Sequence, residues 1–288
     1  MRGVGMGAID SSVVTGRAIS LAPTVAPRDV IEVAAVSKKF RSSSGKVTTV
    51  FEDVSLSIER SEFVFLLGPS GCGKSTLLNM IAGFEAPSEG RIMQDGAPVE
   101  HPDARRTMVF QDVHGSLFPW LSAQANVEFG LRMAGMPLAQ RRAVATKYLH
   151  LVGLREAASK MPFELSGGMK QRVQIARALA TDPEVLLMDE PFGALDAQSR
   201  NVLQGELERI WQETKKTIIF VTHDITEAVR LADRIVVFGA GPAAKIVKTV
   251  PVDLPRPRLP TSIEVARLAQ DIGTLFSHWY SDPQERAA

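Results

Sequence analysis

Cysteine is almost missing from this sequence. Cys72 stands alone among 288 residues, which excludes an internal disulfide and any cysteine-built metal site. The five histidines (His101, His114, His150, His223 and His278) show no paired ligand spacing either. Long hydrophobic runs are absent as well. None approaches the ~18 residues that a spanning helix needs, and the longest, at 64–67, 185–188, 218–221 and 235–238, are of strand length. Any membrane connection is therefore expected to come through a partner. Charge of one sign is lacking: 33 Lys and Arg against 32 Asp and Glu leave a formal net charge of +1, which argues against nucleic-acid binding through bulk charge. Residues 1–28 lack a sustained apolar core, so they do not read as a secretory signal. They are expected to be a disordered lead, or an over-long start with Met6 as another candidate. A reducing, cytoplasmic setting is expected.

What is present begins with Gly68, Pro69, Ser70, Gly71, Cys72, Gly73, Lys74, Ser75 and Thr76, which fit the phosphate-loop pattern G-x-x-x-x-G-K-[ST]. An apolar, β-rich run at 63–67 precedes the stretch and a helix-forming run at 76–82 follows it. The glycines let the backbone curl until several N–H groups point inward. The helix start adds unsatisfied donors and partial positive charge, so the cup suits a di- or triphosphate. Lys74 would reach the β- and γ-phosphates, and the Ser75 hydroxyl would sit on Mg²⁺. At 45% hydrophobic and 23% charged, the chain can bury a core of one large domain or two small ones.

Residues 30–36 and 48–58 read as strands joined by a turn at 42–45, an antiparallel region leading into the phosphate-loop strand. Phe40 is expected between them, either as an edge hydrophobe or as a flat face for adenine. Residues 91–96 suggest a strand ending in a turn. Residues 107–111 suggest a strand with Gln111 at its C-terminal end, the edge where ligands collect in open parallel sheets. From 112 to 161 the strand pattern stops, and 125–134 and 138–153 carry helical spacing. Phe118, Pro119 and Trp120 at the start of this insertion form an aromatic cluster, expected either to pack internally or to make a socket for a partner helix.

Ser166, Gly167 and Gly168 then open a helix whose apolar face is Val173, Ala176 and Leu179. Ser166 at its N-cap makes a second anion-ready helix start, one more than a single nucleotide needs. The apolar run 185–188 ends in Asp189 and Glu190. Side chains alternate along a strand, so neighbouring carboxylates diverge: Asp189 would hold the metal and Glu190 would face the γ-phosphate and the attacking water. Residues 217–222 repeat the design and end in His223, placed to contact the γ-phosphate. A last strand is expected at 234–238, then a Pro/Arg-rich extended segment at 251–258 and a helix at 262–279.

In order and spacing, the phosphate loop, Gln111, residues 165–171, 185–190, 193–196 and His223 resemble those of ABC-transporter ATPase subunits, over roughly residues 30–250. The resemblance implies an α/β fold. It has a P-loop NTPase core, mostly parallel sheet with flanking helices, plus an N-terminal antiparallel β-region and a helical insertion subdomain. Expected boundaries are 29–250 for the ATPase domain, about 112–165 for the insertion, and 251–288 for a C-terminal extension with a helix. ATP and Mg²⁺ are the implied ligands. The family also accounts for the second helix start. Two copies join head to tail, and Ser166, Gly167 and Gly168 of one close over the γ-phosphate held by Lys74 of the other. Carried onto this chain, Phe40 stacks on adenine and Gln111 senses Mg²⁺ and the partner. Glu190 is the general base, Asp196 communicates across the dimer, and His223 holds the γ-phosphate. Cys72 is a small occupant of the loop, with sensitivity to thiol reagents as the expected consequence.

A single such domain without a spanning helix matches importer subunits of bacterial type, peripheral on the cytoplasmic face of the inner membrane. A polytopic permease would dock near Gln111 and the Phe118 to Trp120 socket, and a periplasmic or extracellular binding protein would be an indirect partner. Residues 118–120, 126–131 and 254–258 look like the nitrate/sulfonate/taurine importer branch. The rival is a soluble ABC ATPase acting on DNA or ribosomes without a permease. Paired ATPase domains, long coiled coils or basic arms would mark it, and none is evident. A phosphate-loop kinase would leave Ser166 to Gln171 without a purpose.

Overall fold

The computed structural model describes residues 29–281, apart from Ser42, Ser44, Ala194 and Pro242. The lead expected at 1–28, part of the first turn and the end of the C-terminal extension lie outside the described residues. Two long strands, β1 (Asp29–Arg41) and β2 (Val47–Glu59), pair antiparallel, and β3 (Phe63–Leu67) leads into α1 (Lys74–Ala82). Next, β4 (Glu89–Gln94) returns to β1, and β5 (Ala97–Pro98) completes a four-stranded sheet in the order β2-β1-β4-β5. After β6 (Arg106–Val109) come four helices: α2 (Val113–Ser116), α3 (Ala123–Met133), α4 (Leu138–Leu151) and α5 (Gly167–Ala180). Alternation resumes with β7 (Val185–Asp189), α6 (Ala197–Thr214), β8 (Thr217–Thr222), α7 (Ile225–Leu231) and β9 (Arg234–Phe238). Then β10 (Ile246–Pro251) and α8 (Ile263–Ser281) follow.

The second sheet runs β10-β9-β3-β8-β7-β6, parallel throughout except for antiparallel β10. Its central strands are apolar on both sides because both faces are covered. In β3, Phe63, Phe65 and Leu67 enter one core while Val64 and Leu66 enter the other. The same period of two sorts Ile218 and Phe220 of β8 from Ile219 and Val221. The Phe65 and Phe220 rings stack at 4.4 Å, a contact worth about 0.5–1.5 kcal/mol beyond their burial. The first core packs under α3 to α7, and the second under α1 and the antiparallel sheet.

Two sequence expectations are corrected. Phe40 does not lie between strands: β1 extends to Arg41, and Phe40 pairs with Thr48 in the ladder. Nor is 234–238 the last strand. β10 follows it on the sheet edge, with none of its residues fully buried, so its apolar signal is weak. The C-terminal segment packs on the body through buried Val252, Arg258, Val265 and Ile272. No helix among the described residues is long and apolar enough to cross a membrane.

Candidate functional site

The phosphate loop joins β3 to α1 as the pattern requires. Gly71 (φ +83°) and Gly73 (φ +95°) are in the left-handed region. Nothing lies within 4 Å of where a Cβ on Gly71 would sit, so that side of the loop is open. A Cβ on Gly73 would instead come within 2.5 Å of Val50 Cγ1, so only glycine fits between the loop and β2. Lys74 is 4% exposed, and its ammonium donates to Gly68 O (2.9 Å) and Pro69 O (2.8 Å). An open cavity of about 430 Å³ is bounded by Ser70, Gly71, Lys74, Thr76, Gln111 and Glu190, so two residues far away in sequence arrive at the loop. Gln111 comes from just beyond β6, which stops at Val109.

The two acids at the end of β7 diverge. Ser75 Oγ donates to Asp189 Oδ1 at 2.8 Å, whereas Glu190 Oε2 is 3.1 Å from His223 Nδ1. Glu190 adopts φ +40°, unusual for a side-chain-bearing residue, and its N–H donates to Val221 O of β8. The turn aims its carboxylate at the end of the neighbouring strand. Burial raises the pKa of Asp189, an effect that Ser75 opposes, Glu190 reinforces and Lys74 opposes. Ser75 and Asp189 together offer the hard oxygens that Mg²⁺ takes. Among the described residues no group of three or more His, Cys, Asp or Glu is arranged to hold a metal ion. A Mg²⁺ here would thus complete its shell from phosphate and water, which fits a nucleotide-borne ion.

Cys72 is 1% exposed, and burial raises the pKa of its thiol against the pull of Lys74. That placement corrects the expectation of thiol sensitivity: a buried thiol with little thiolate reacts slowly.

Ser166, Gly167 and Gly168 are not part of this cavity. Ser166 caps α5, accepting from Met169 N at 3.3 Å. With Gly168, Gly153, Arg172 and Val202 it lines a separate cavity of about 420 Å³. Asp196 caps α6, its Oδ1 accepting from Ser199 N at 2.9 Å, and this bond holds the fully exposed carboxyl's pKa down. Phe40 is 44% exposed with the Lys38 ammonium 4.9 Å above its ring; the residue of the antiparallel sheet that lines the nucleotide-sized cavity is Val50.

Sequence reasoning missed the groups around His223. Thr222, Arg200 and the buried Glu227 share a small cavity with Glu190 and His223. Gln204 Nε2 of α6 donates to Glu227 Oε1 at 3.0 Å, and Arg230 Nη1 donates to Gln204 Oε1 at 2.8 Å. Thr222 ends β8, and Arg200, Gln204, Glu227 and Arg230 lie on α6 and α7, where a polar residue reads as solvated surface. Phe84 and Phe110 were also missed. They stack at 6.3 Å, half exposed, beside Gln111. The insertion's Phe118 lies 4.3 Å from Phe129 and 5.7 Å from Trp120, which is 70% exposed. Buried Asn126 holds that turn by accepting from Phe118 N and donating to Leu121 O and Ser122 O.

The family model for the ABC transporter matches residues 51–193. The chain is 48% identical over 239 residues to the nitrate import ATP-binding protein NrtD of Synechococcus elongatus, spanning 82% of this chain and 86% of that one. It is 49% identical over 224 residues to the taurine import ATP-binding protein TauB of Pseudomonas entomophila, spanning 78% and 84%. Among solved structures, a dimeric ATP-binding cassette in a post-hydrolysis state bound to ADP and Pi matches with a TM-score of 0.67 and 32% identity, over 78% of this chain and 100% of that one. With a formed phosphate loop, a paired Ser75 and Asp189, and relatives this similar over most of their length, the chain belongs to the ABC transporter family as one of its ATP-binding ATPases.

Proposed function

We propose that this chain is the ATP-hydrolysing subunit of a membrane importer and works as a head-to-tail dimer. One observation carries the dimer: Lys74 and Ser166 line separate cavities of the same copy, although both offer anion-binding helix starts. A second copy resolves the duplication if its Ser166, Gly167 and Gly168 seal the triphosphate cradled by Gly68 to Thr76. Within each pocket Lys74 leaves its loop carbonyls for the β- and γ-phosphates, and Phe40 stacks on the adenine. Ser75, Asp189 and Gln111 hold Mg²⁺, which when bound neutralises charge developing on the phosphate oxygens. Glu190 takes a proton from the attacking water. His223, 3.1 Å from Glu190, orients that carboxylate and reaches toward the γ-phosphate. Asp196, at the start of α6, faces the partner copy. Closure and reopening of the dimer form a two-state cycle biased by ATP and its products.

The permease is proposed to dock at Gln111, beside the exposed Phe84 and Phe110 stack, and at the turn from Phe118 to exposed Trp120, placing the chain peripherally on the cytoplasmic membrane face. The relatives named for nitrate and taurine import favour a small oxyanion-type solute such as nitrate, a sulfonate or taurine. Residues 29–250 are proposed as the ATPase domain, with the insertion at about 112–165 and an extension from 251.

Complementation tests the composite pocket. Ser166→Arg and Lys74→Ala chains, each inactive alone, should regain turnover when mixed, since one mixed pocket is intact. No recovery on mixing, with a monomer that turns over ATP at the full rate, sinks the reading. A pull-down from detergent extract separates the rival: a polytopic membrane protein supports transport, and ribosomes or DNA support a soluble role.

A further inference from the structure

The Pro/Arg-rich segment after β10 has no part in the mechanism above, yet it is built into the body. Arg258 is 4% exposed. Its Nη1 donates to Val229 O (3.2 Å), Arg230 O (3.5 Å) and Ala232 O, its Nη2 to Val252 O (2.8 Å), and its Nε to Leu254 O (3.0 Å). Arg256 donates through Nη2 to Leu231 O and through Nη1 to Asp233 Oδ1 at 2.5 Å. Its guanidinium also lies 4.4 Å over the Trp211 ring and 3.4 Å from Glu208 Oε1, both on α6.

These contacts converge on the C-terminal end of α7. A helix leaves its last four carbonyls without helical partners. Here Val229, Arg230, Leu231 and the cap residue Ala232 all receive theirs from the two arginines. Two cationic forks at that end also complement the helix dipole. Burial, and then the Arg256 charge, push the Arg258 pKa down to about 10, so it stays protonated at neutral pH.

The other end of α7 is the candidate site. Asp224 caps the helix, its Oδ1 accepting from Glu227 N at 3.1 Å, and the residue before it is His223. Seven residues make a rod of about 10 Å that has little stability of its own, so its ends are set by what they touch. Asp233 extends the grip to the phosphate-loop strand, because its Oδ2 accepts from Phe63 N at 2.9 Å.

We propose that Arg256 and Arg258 are positioning residues for ATP hydrolysis: by clasping the far end of α7 they set where His223 meets Glu190. This rests on the reading of His223 and Glu190 given above. A clasp that only fastens the C-terminal segment would affect stability and leave turnover alone.

The test measures ATPase kinetics and melting temperature of the purified full chain carrying Arg258→Lys or Arg256→Gln, each with and without His223→Ala. Lysine keeps the charge at 258 but cannot fork to five carbonyls. The glutamine at partly exposed 256 serves if Arg258→Lys fails to fold. The expected result is a kcat about 10-fold to 10²-fold lower, since small misplacements cost that much, with KM for ATP within about twofold. Combined with His223→Ala, neither substitution should slow single turnover further. An unchanged kcat with a lowered melting temperature overturns the proposal, as does a loss that multiplies in the His223→Ala background. If His223→Ala alone keeps full turnover, the underlying reading has failed, and the proposal with it.

Discussion

At the scale of single residues, the site depends on directions that neighbouring side chains take. Asp189 and Glu190 are adjacent, yet one meets Ser75 and the other His223. Strand alternation predicts the divergence, and the positive φ of Glu190 completes it. Glu190→Gln keeps the shape and the His223 contact but cannot accept a proton. On the proposed reading its kcat should fall by about 10²–10⁴-fold, with ATP affinity retained, as measured by steady-state hydrolysis beside nucleotide-binding titration. Near-normal turnover would remove Glu190 from the role. Cys72 gives the opposite lesson. The phosphate-loop pattern places it beside Lys74, but burial outweighs that cation and leaves the thiol protonated.

At the scale of elements, α6 and α7 share a buried polar link, Gln204 to Glu227. Burial raises the Glu227 carboxyl's pKa, against hydrogen bonds from Thr222 and Gln204. The folded chain therefore binds this proton more tightly than the unfolded chain does. Between the ordinary carboxylate value and the raised one, stability falls as pH rises, because the folded state must then bury a charge. Glu227→Gln keeps the acceptor for Gln204 and removes the charge. Its melting temperature should match wild type near pH 4 (about the ordinary Glu value), and its advantage should grow as pH rises from there until the raised value is passed. A gap that does not widen with pH would show that the buried carboxylate carries no such cost. Helix α7 itself is short, and its four terminal carbonyls would be orphaned without Arg256 and Arg258. Nothing in the local sequence of α7 shows that its cap lies some 25 residues onward, since the pairing exists only once β10 has returned along β9.

At the scale of the whole molecule, a few exposed aromatics stand apart from the packed cores. Trp120 is 70% exposed, Phe84 54% and Phe110 41%, while most large apolar side chains are buried. Trp120→Ala should therefore weaken co-purification with a polytopic membrane partner by about 30-fold, a hot-spot loss of ~2 kcal/mol, read by quantitative pull-down from detergent extract. Undiminished capture would move the docking surface elsewhere.

Much of this was legible in the chain itself. Apolar runs of four or five residues pointed to strands buried on both faces, because such strands have no solvent side to alternate with, and the family resemblance implied that they lie mostly parallel. The Gly68 to Thr76 pattern specified a phosphate cup, since backbone curvature there depends on which positions lack a Cβ. Local chemistry sufficed in both cases. Tertiary structure alone decided that Gln111 and Glu190 share a cavity with Lys74, and that Ser166 lines a different one. It also decided that Val50 walls the cavity, that β10 extends the sheet, and that two arginines from the tail close the end of α7. Those outcomes depend on contacts between segments tens of residues apart. Such contacts form only when the two cores pack, and no residue's own neighbours in the sequence encode them.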